Sequence, residues 1–232
     1  MGNYDYMFSY EFYLDGSIRV EVRASGYIQS AYYAHNQDYG YHIHDYLSGS
    51  MHDHVLNFKA DFDILGTDNT MELTTNVPVT ESYPWSDHPR NTMKLKRELL
   101  ENENDGRMFY AGNGATQYRV INLDQANKYG EYRGYRVLPS DGTIHLTVEN
   151  SSNLVNAANW ANYDLMVTKQ KNTEPRSAHP YNGQDVYDPP VDFAKFFDGE
   201  SLKQEDLVVW FNLGECTTPP LPSLPFHSFP RG

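Results

Sequence analysis

His52 and His54, separated by Asp53, are the side chains in this sequence best spaced to grip a metal ion. In a strand, residues two apart point the same way. Both imidazoles then face one side with Cβ atoms about 7 Å apart, a bite one ion can bridge. Imidazole suits copper and zinc. The same pattern recurs at His42 and His44, in a stretch of weak periodicity that reads as loop or dimer contact. Further along the strand that carries His52 and His54, Asp61 and Asp63 fall with Asp53 on the face opposite His52, His54, Leu56 and Phe58. Two carboxylates at a strand end can hold a hard cation through oxygen, or can simply be a solvated acidic edge. Tyr4, within Asn3-Tyr4-Asp5-Tyr6, is by itself one ordinary strand tyrosine among 19.

The elements that must position these groups read as strands. Tyr6, Phe8, Tyr10, Phe12 and Leu14 alternate with Met7, Ser9, Glu11 and Tyr13, the period of a half-buried strand. Asp15-Gly16 suits a two-residue turn with positive φ, leading into Ser17–Arg23, a hairpin. Residues 24–50 read as loop with a short strand. Met51–Ile64 is a long strand, which Gly66-Thr67-Asp68-Asn69 turns into Met71–Val77 as a second hairpin. Val79–Asn91, with two prolines, reads as loop. Strands follow at Met93–Leu100, Met108–Val120 and Tyr132–Val137. Ser140-Asp141-Gly142 turns into another at Thr143–Val148, and further strands lie at Leu165–Lys169 and Leu207–Leu213. Asn153–Tyr163 reads as a short helix or irregular segment, and Val191–Phe197 as a helical turn. Many short strands with turns about every ten residues predict an all-β fold, a large antiparallel β-sandwich.

Composition narrows the function. The 232 residues carry 18 Lys and Arg against 31 Asp and Glu, a net charge of −13. That balance opposes a nucleic-acid surface, which needs clustered cations to displace counterions. It favours cationic ligands such as amines only weakly. No apolar run approaches the length of a membrane span. The single cysteine, Cys216, rules out an internal disulfide and a cysteine metal cage. No basic and apolar leader is visible at the N-terminus, which points to a cytoplasmic or peroxisomal protein.

Asn3-Tyr4-Asp5-Tyr6, followed 48 residues after Tyr4 by His52-Asp53-His54 and Val55-Leu56-Asn57-Phe58-Lys59-Ala60-Asp61-Phe62-Asp63, resembles the catalytic domain of the copper amine oxidases. The resemblance covers roughly residues 1–214. It implies that Tyr4 is the precursor of topaquinone, the family's self-made quinone cofactor, beside a copper ion on His52 and His54. A phenol near Cu(II) is acidified by the ion's charge, and the electron-rich phenolate can react with O2. Asn3 resembles the residue that restrains the quinone ring, and Asp5 and Tyr6 complete the motif. The resemblance further implies a calcium-type site built from Asp61, the Phe62 carbonyl, Asp63, Asp206 and the Leu207 carbonyl. The implied reaction turns a primary amine, O2 and water into an aldehyde, ammonia and H2O2. The quinone is the electron sink and an aspartate the general base. Full-length relatives are homodimers.

The sequence departs from the family in three respects. The family's catalytic aspartate lies well upstream of the quinone tyrosine, and no residue of this chain can take that role. The final family strand, here Asp206–Gly214, normally runs into a third copper histidine, but Thr217 falls at that position. From Glu215 onward, prolines at 219, 220, 222, 225 and 230 interrupt any strand. Residues 1–214 therefore read as a partial, truncated catalytic domain, and 215–232 as a divergent, proline-rich, disordered tail. The chain is expected to be impaired as an oxidase. Two other readings stay open: a zinc-dependent hydrolase or lyase on His52 and His54, and a non-catalytic β-sandwich dimerisation module. Glu-Cys-Thr-Thr can be written in codons that spell Met-His-His in another frame, so the tail is expected to come from a shifted frame or altered splice. Sequencing the transcript checks this: an open, unspliced frame through Thr218 with other codons would remove the idea.

Overall fold

The computed structural model describes residues 2–35, 38–138, 148 and 150–217, with the side chains of 215–217 left aside. Fourteen strands and four short 3₁₀ turns make up the regular structure of the described residues, and antiparallel pairing dominates. The chain divides into two compact units, Met1–His54 with Glu215–Gly232, and Val55–Gly214.

In the first unit, β1 (Tyr4–Phe12) and β2 (Ile18–Gly26) form the expected hairpin, in register from Tyr4 opposite Gly26 to Phe12 opposite Ile18. The turn is wider than the two-residue form. The Gly16 N–H donates to the Tyr13 carbonyl, the Tyr13 N–H donates to the Ser17 carbonyl, and only Gly16 has positive φ, at 85°. Asp15 is used instead as an acceptor, taking the Ser17 N–H and hydroxyl on its carboxylate, which lowers its pKa. The stretch at 24–50 holds three short strands, β3 (Ser30–Tyr32), β4 (His42–His44) and β5 (Leu47–Gly49), in the order β3-β5-β4.

Long strand β6 (His52–Phe62) follows, and then β7 (Asn69–Glu81). These two are not a hairpin, contrary to the sequence expectation. Residues 63–68 carry the chain from one sheet to another, because both edges of β7 are taken elsewhere. One edge pairs with β8 (Arg90–Leu99) from Glu72–Leu99 to Glu81–Arg90, so only the two ends of the proline-containing stretch read as loop are strand, and residues 82–89 form the connection between them. The other edge pairs with β10 (Thr116–Ala126) and β13 (Lys203–Glu205). Beside them lie β9 (Arg107–Met108), β11 (Tyr132–Val137), β12 (Leu165–Lys169) and β14 (Leu207–Thr217). One sheet runs β11-β10-β7-β13 with β8 on β7, the other β6-β14-β12-β9. The expected strand at Thr143–Val148 falls almost wholly outside the described residues, as do residues 218–232. β14 carries on through Glu215, Cys216 and Thr217, so its backbone does not break at Gly214.

The second unit shows why some strands read as unbroken apolar runs. Leu165 and Val167 of β12, with Leu207 and Val209 of β14, point into a core shared with Met71, Tyr118 and Val120 of the facing sheet. The alternate residues Met166, Val208 and Trp210 are buried too, against Phe193 and Phe196 from a 3₁₀ turn at Phe193–Phe196. A strand covered on both faces loses its polar alternation. The Trp210 indole N–H donates to the Thr168 hydroxyl at 2.9 Å, which satisfies the polar atoms of that layer.

A charged pair lies on the other face of the β7–β10 sheet from this core. Glu72 is buried on β7 directly opposite Arg119 on β10, whose guanidinium donates to its carboxylate at 2.8 Å. The Thr74 hydroxyl donates to the same oxygen. Removing one member of such a pair strands the other charge and costs about 3–5 kcal/mol. Arg119→Met is therefore expected to lower the thermal midpoint clearly, and adding Glu72→Leu to recover most of the loss. Calorimetry on the single and double variants checks this; an unchanged midpoint in Arg119→Met would show that the pair contributes nothing.

Candidate active site

Strand parity brings four side chains together in the first unit. Tyr4 and Tyr6 are two apart on β1, and His52 and His54 are two apart at the start of β6, so the pairs meet in step. The Tyr4 hydroxyl lies 2.9 Å from His52 Nε2, and the Tyr6 hydroxyl 2.6 Å from His54 Nδ1. The two imidazole centroids are 4.8 Å apart, edge to face, and the Tyr4 ring stands edge-on to His54 at 4.7 Å. Tyr4, His52 and His54 are half-buried, whereas Asn3 and Asp5 are exposed. The Asn3 carbonyl accepts the Tyr27 N–H. Burial, reinforced by neighbouring Tyr4, pushes the Tyr6 phenol above its ordinary pKa.

The tautomer of His52 follows from its partners. Its Nδ1 is 2.7 Å from the Ser50 carbonyl, which can only accept, so Nδ1 carries the proton. Nε2 is then the lone-pair nitrogen, and the Tyr4 O–H donates to it. A phenol thus stands at the nitrogen that a metal would use.

Close approach at this end depends on Gly26. It lies opposite Tyr4, and a Cβ there would sit 2.0 Å from the Asn3 carbonyl oxygen and 2.8 Å from Tyr4 Cα. No sequence pattern marked this glycine, although its place twenty-two residues after Tyr4, at the far end of an alternating hairpin, was the available signal.

The donor set fits copper in part. His52 and His54 present two imidazoles from one strand face, the ligand type that copper prefers. Among the described residues, no third histidine, cysteine or carboxylate converges with them. His42 and His44 do not: they sit on β4, with His42 stacked flat on Tyr33 at 3.7 Å. The side chain of Thr217, at the expected third position, is outside the described part.

In the second unit, Asp61, Asp63 and Asp206 converge, with one oxygen from each lying within 4.8 Å of the others. Asp206 Oδ1 is buried with no hydrogen-bond partner, and burial, then Asp61 and Asp63, raise the Asp206 pKa. No lysine or arginine among the described residues forms an ion pair with these three. Phe62 and Leu207 flank the group in sequence. A second acidic group, Glu103, Asp198 and Glu200, differs in already holding a cation: the Lys171 ammonium pairs with Asp198 at 2.9 Å and with Glu200. Glu103, fully buried, accepts the Lys169 and Asp198 N–H groups and is structural. The first trio thus has the chemistry of a hard-cation site, and the second does not.

Comparison with known proteins gives a consistent family. The model of the copper amine oxidase enzyme domain matches residues 1–228. Copper amine oxidase vicK1 of Bipolaris victoriae is 53% identical over 226 residues, which are 97% of this chain and 32% of that protein. The crystal structure of Aspergillus nidulans amine oxidase superposes with a TM-score of 0.91 at 65% identity, over 94% of this chain and 30% of that one. Pichia pastoris lysyl oxidase superposes at 0.90 with 42% identity, again over 94% and 30%. The chain thus spans about a third of its relatives' length. Neither a zinc hydrolase nor a non-catalytic module is among these relatives.

Gly26→Ala is expected to push the Asn3–Tyr4 backbone away from β2, lengthen the Tyr4–His52 contact and cost about 1–3 kcal/mol. Thermal unfolding and nuclear Overhauser contacts between the two rings check it. Retention of both would show that the backbones have room to spare.

Proposed function

The chain belongs to the copper amine oxidase family, and from this we infer that it is the part of a primary-amine oxidase in which Tyr4 becomes topaquinone beside a copper ion on His52 and His54. The observation that carries the reading is the Tyr4 hydroxyl, 2.9 Å from Nε2 of His52. The quinone, when present, supplies a carbonyl electron sink for oxidising an amine to an aldehyde, with O2 as the final acceptor. The residues of this chain do the rest of the local work. Ser50 holds the His52 proton on Nδ1. Without a metal, the His52 Nε2 lone pair accepts the Tyr4 hydroxyl; a copper ion taking that lone pair would lie beside the phenol, and its charge would make the phenol proton easier to lose. Asn3, next to Tyr4 in sequence, restrains the ring, and Asp5 belongs to the same motif.

The Asp61, Asp63 and Asp206 trio, with the Phe62 and Leu207 carbonyls, is proposed as a calcium-type site. Its support is the unpartnered buried oxygen of Asp206 and the absence of a pairing ammonium among the described residues. Oxygen ligands at a crowded carboxylate group suit a hard cation. Homodimer assembly belongs to the same proposal. The β7–β8 hairpin exposes Trp85, Met93 and Leu95, apolar surface that a subunit contact would cover. Among the described residues no helix is long and apolar enough to cross a membrane.

Copper-loaded, aerated protein is expected to give a coloured phenylhydrazine adduct, the signature of a quinone carbonyl. Tyr4→Phe and His52→Ala should abolish the colour. Colour retained in Tyr4→Phe, or none in the parent protein, would overturn the assignment.

A further inference from the structure

We propose that Tyr6 is a positioning residue for His54, holding that imidazole with Nε2 as the metal donor; this rests on His52 and His54 being the copper ligands. The Tyr6 hydroxyl is 2.6 Å from His54 Nδ1, with the two ring centroids 5.7 Å apart. When Nε2 of a neutral imidazole binds a metal, the ring proton must sit on Nδ1 and needs an acceptor. His52 meets that need with the Ser50 carbonyl, which lies two residues before it in the same segment. His54 finds its acceptor on another strand, in the phenol oxygen of Tyr6.

The arrangement assigns different work to two tyrosines that look equivalent in sequence. Tyr4 meets His52 at Nε2, the side on which a metal binds. Tyr6 meets His54 at Nδ1, the side away from it. Only Tyr4 is then placed for oxidation, while Tyr6 stays a phenol and fixes a ligand. The second tyrosine of Asn-Tyr-Asp-Tyr acts on the metal through the histidine and touches no substrate.

The test is Tyr6→Phe, which removes the acceptor and keeps the ring. Loss of an outer partner of a metal-bound histidine weakens binding about 10–100-fold. Copper affinity by chelator competition is expected to fall by that factor, with a changed copper electron paramagnetic resonance spectrum. Tyr10→Phe, on the same strand face and largely exposed, should leave both unchanged. In the metal-free protein, ¹⁵N shifts of the His54 ring should show its proton redistributed between the two nitrogens in Tyr6→Phe. That readout needs neither activity nor copper. Should His52→Ala abolish copper binding while Tyr6→Phe leaves affinity, spectrum and ring shifts as they were, the role of Tyr6 falls and the copper reading stands. A protein that takes up no copper overturns both.

Discussion

One hydrogen bond, from the Tyr4 hydroxyl to His52 Nε2, ties the start of the first strand to the start of the sixth. It forms only because two strands present matching alternation, tyrosines at 4 and 6 against histidines at 52 and 54. A slip of one residue in either strand would turn its pair to the other face and dissolve the site. The hairpin register, which sets Tyr4 opposite Gly26, is therefore a chemical constraint as well as a structural one. The bare glycine lets the backbones close where a side chain would hold them apart.

The four rings are polarised by fixed partners. A backbone carbonyl decides the His52 tautomer, and that decision turns the neighbouring phenol into a donor. The partners of His52 thus decide which of its ring nitrogens carries the lone pair.

The second unit handles charge in three ways, each set by surroundings. Glu72 is neutralised by Arg119 across the sheet. Asp198 and Glu200 are neutralised by Lys171, reaching from the loop after β12. Asp61, Asp63 and Asp206 have no such ion pair among the described residues, and burial, then the neighbouring Asp61 and Asp63, raises the Asp206 pKa. A carboxylate whose folded pKa is raised opposes folding as pH climbs from its unfolded value through the folded one. A divalent cation at the trio would remove that penalty.

Much of this was legible in the order of residues. Alternation is a local steric property, so the strands, the first hairpin and the shared faces of His52 with His54 and of Asp61 with Asp63 could be read directly. The family was legible too, but as a resemblance carried by Asn3–Tyr6 and His52–Asp63, not as a consequence of alternation. Partner choice over long distances was not legible, because it depends on which strand edges and polar atoms remain unsatisfied once everything else has paired. Only the tertiary structure separated β6 from β7 into different sheets, whereas a Gly-containing turn suggested a hairpin. Folding also brought Asp206 to Asp61 and Asp63, offered the Ser50 carbonyl to His52, and set Tyr6 against the opposite ring nitrogen from the one Tyr4 takes. Spacing fixes which way a side chain points, and packing fixes what it meets.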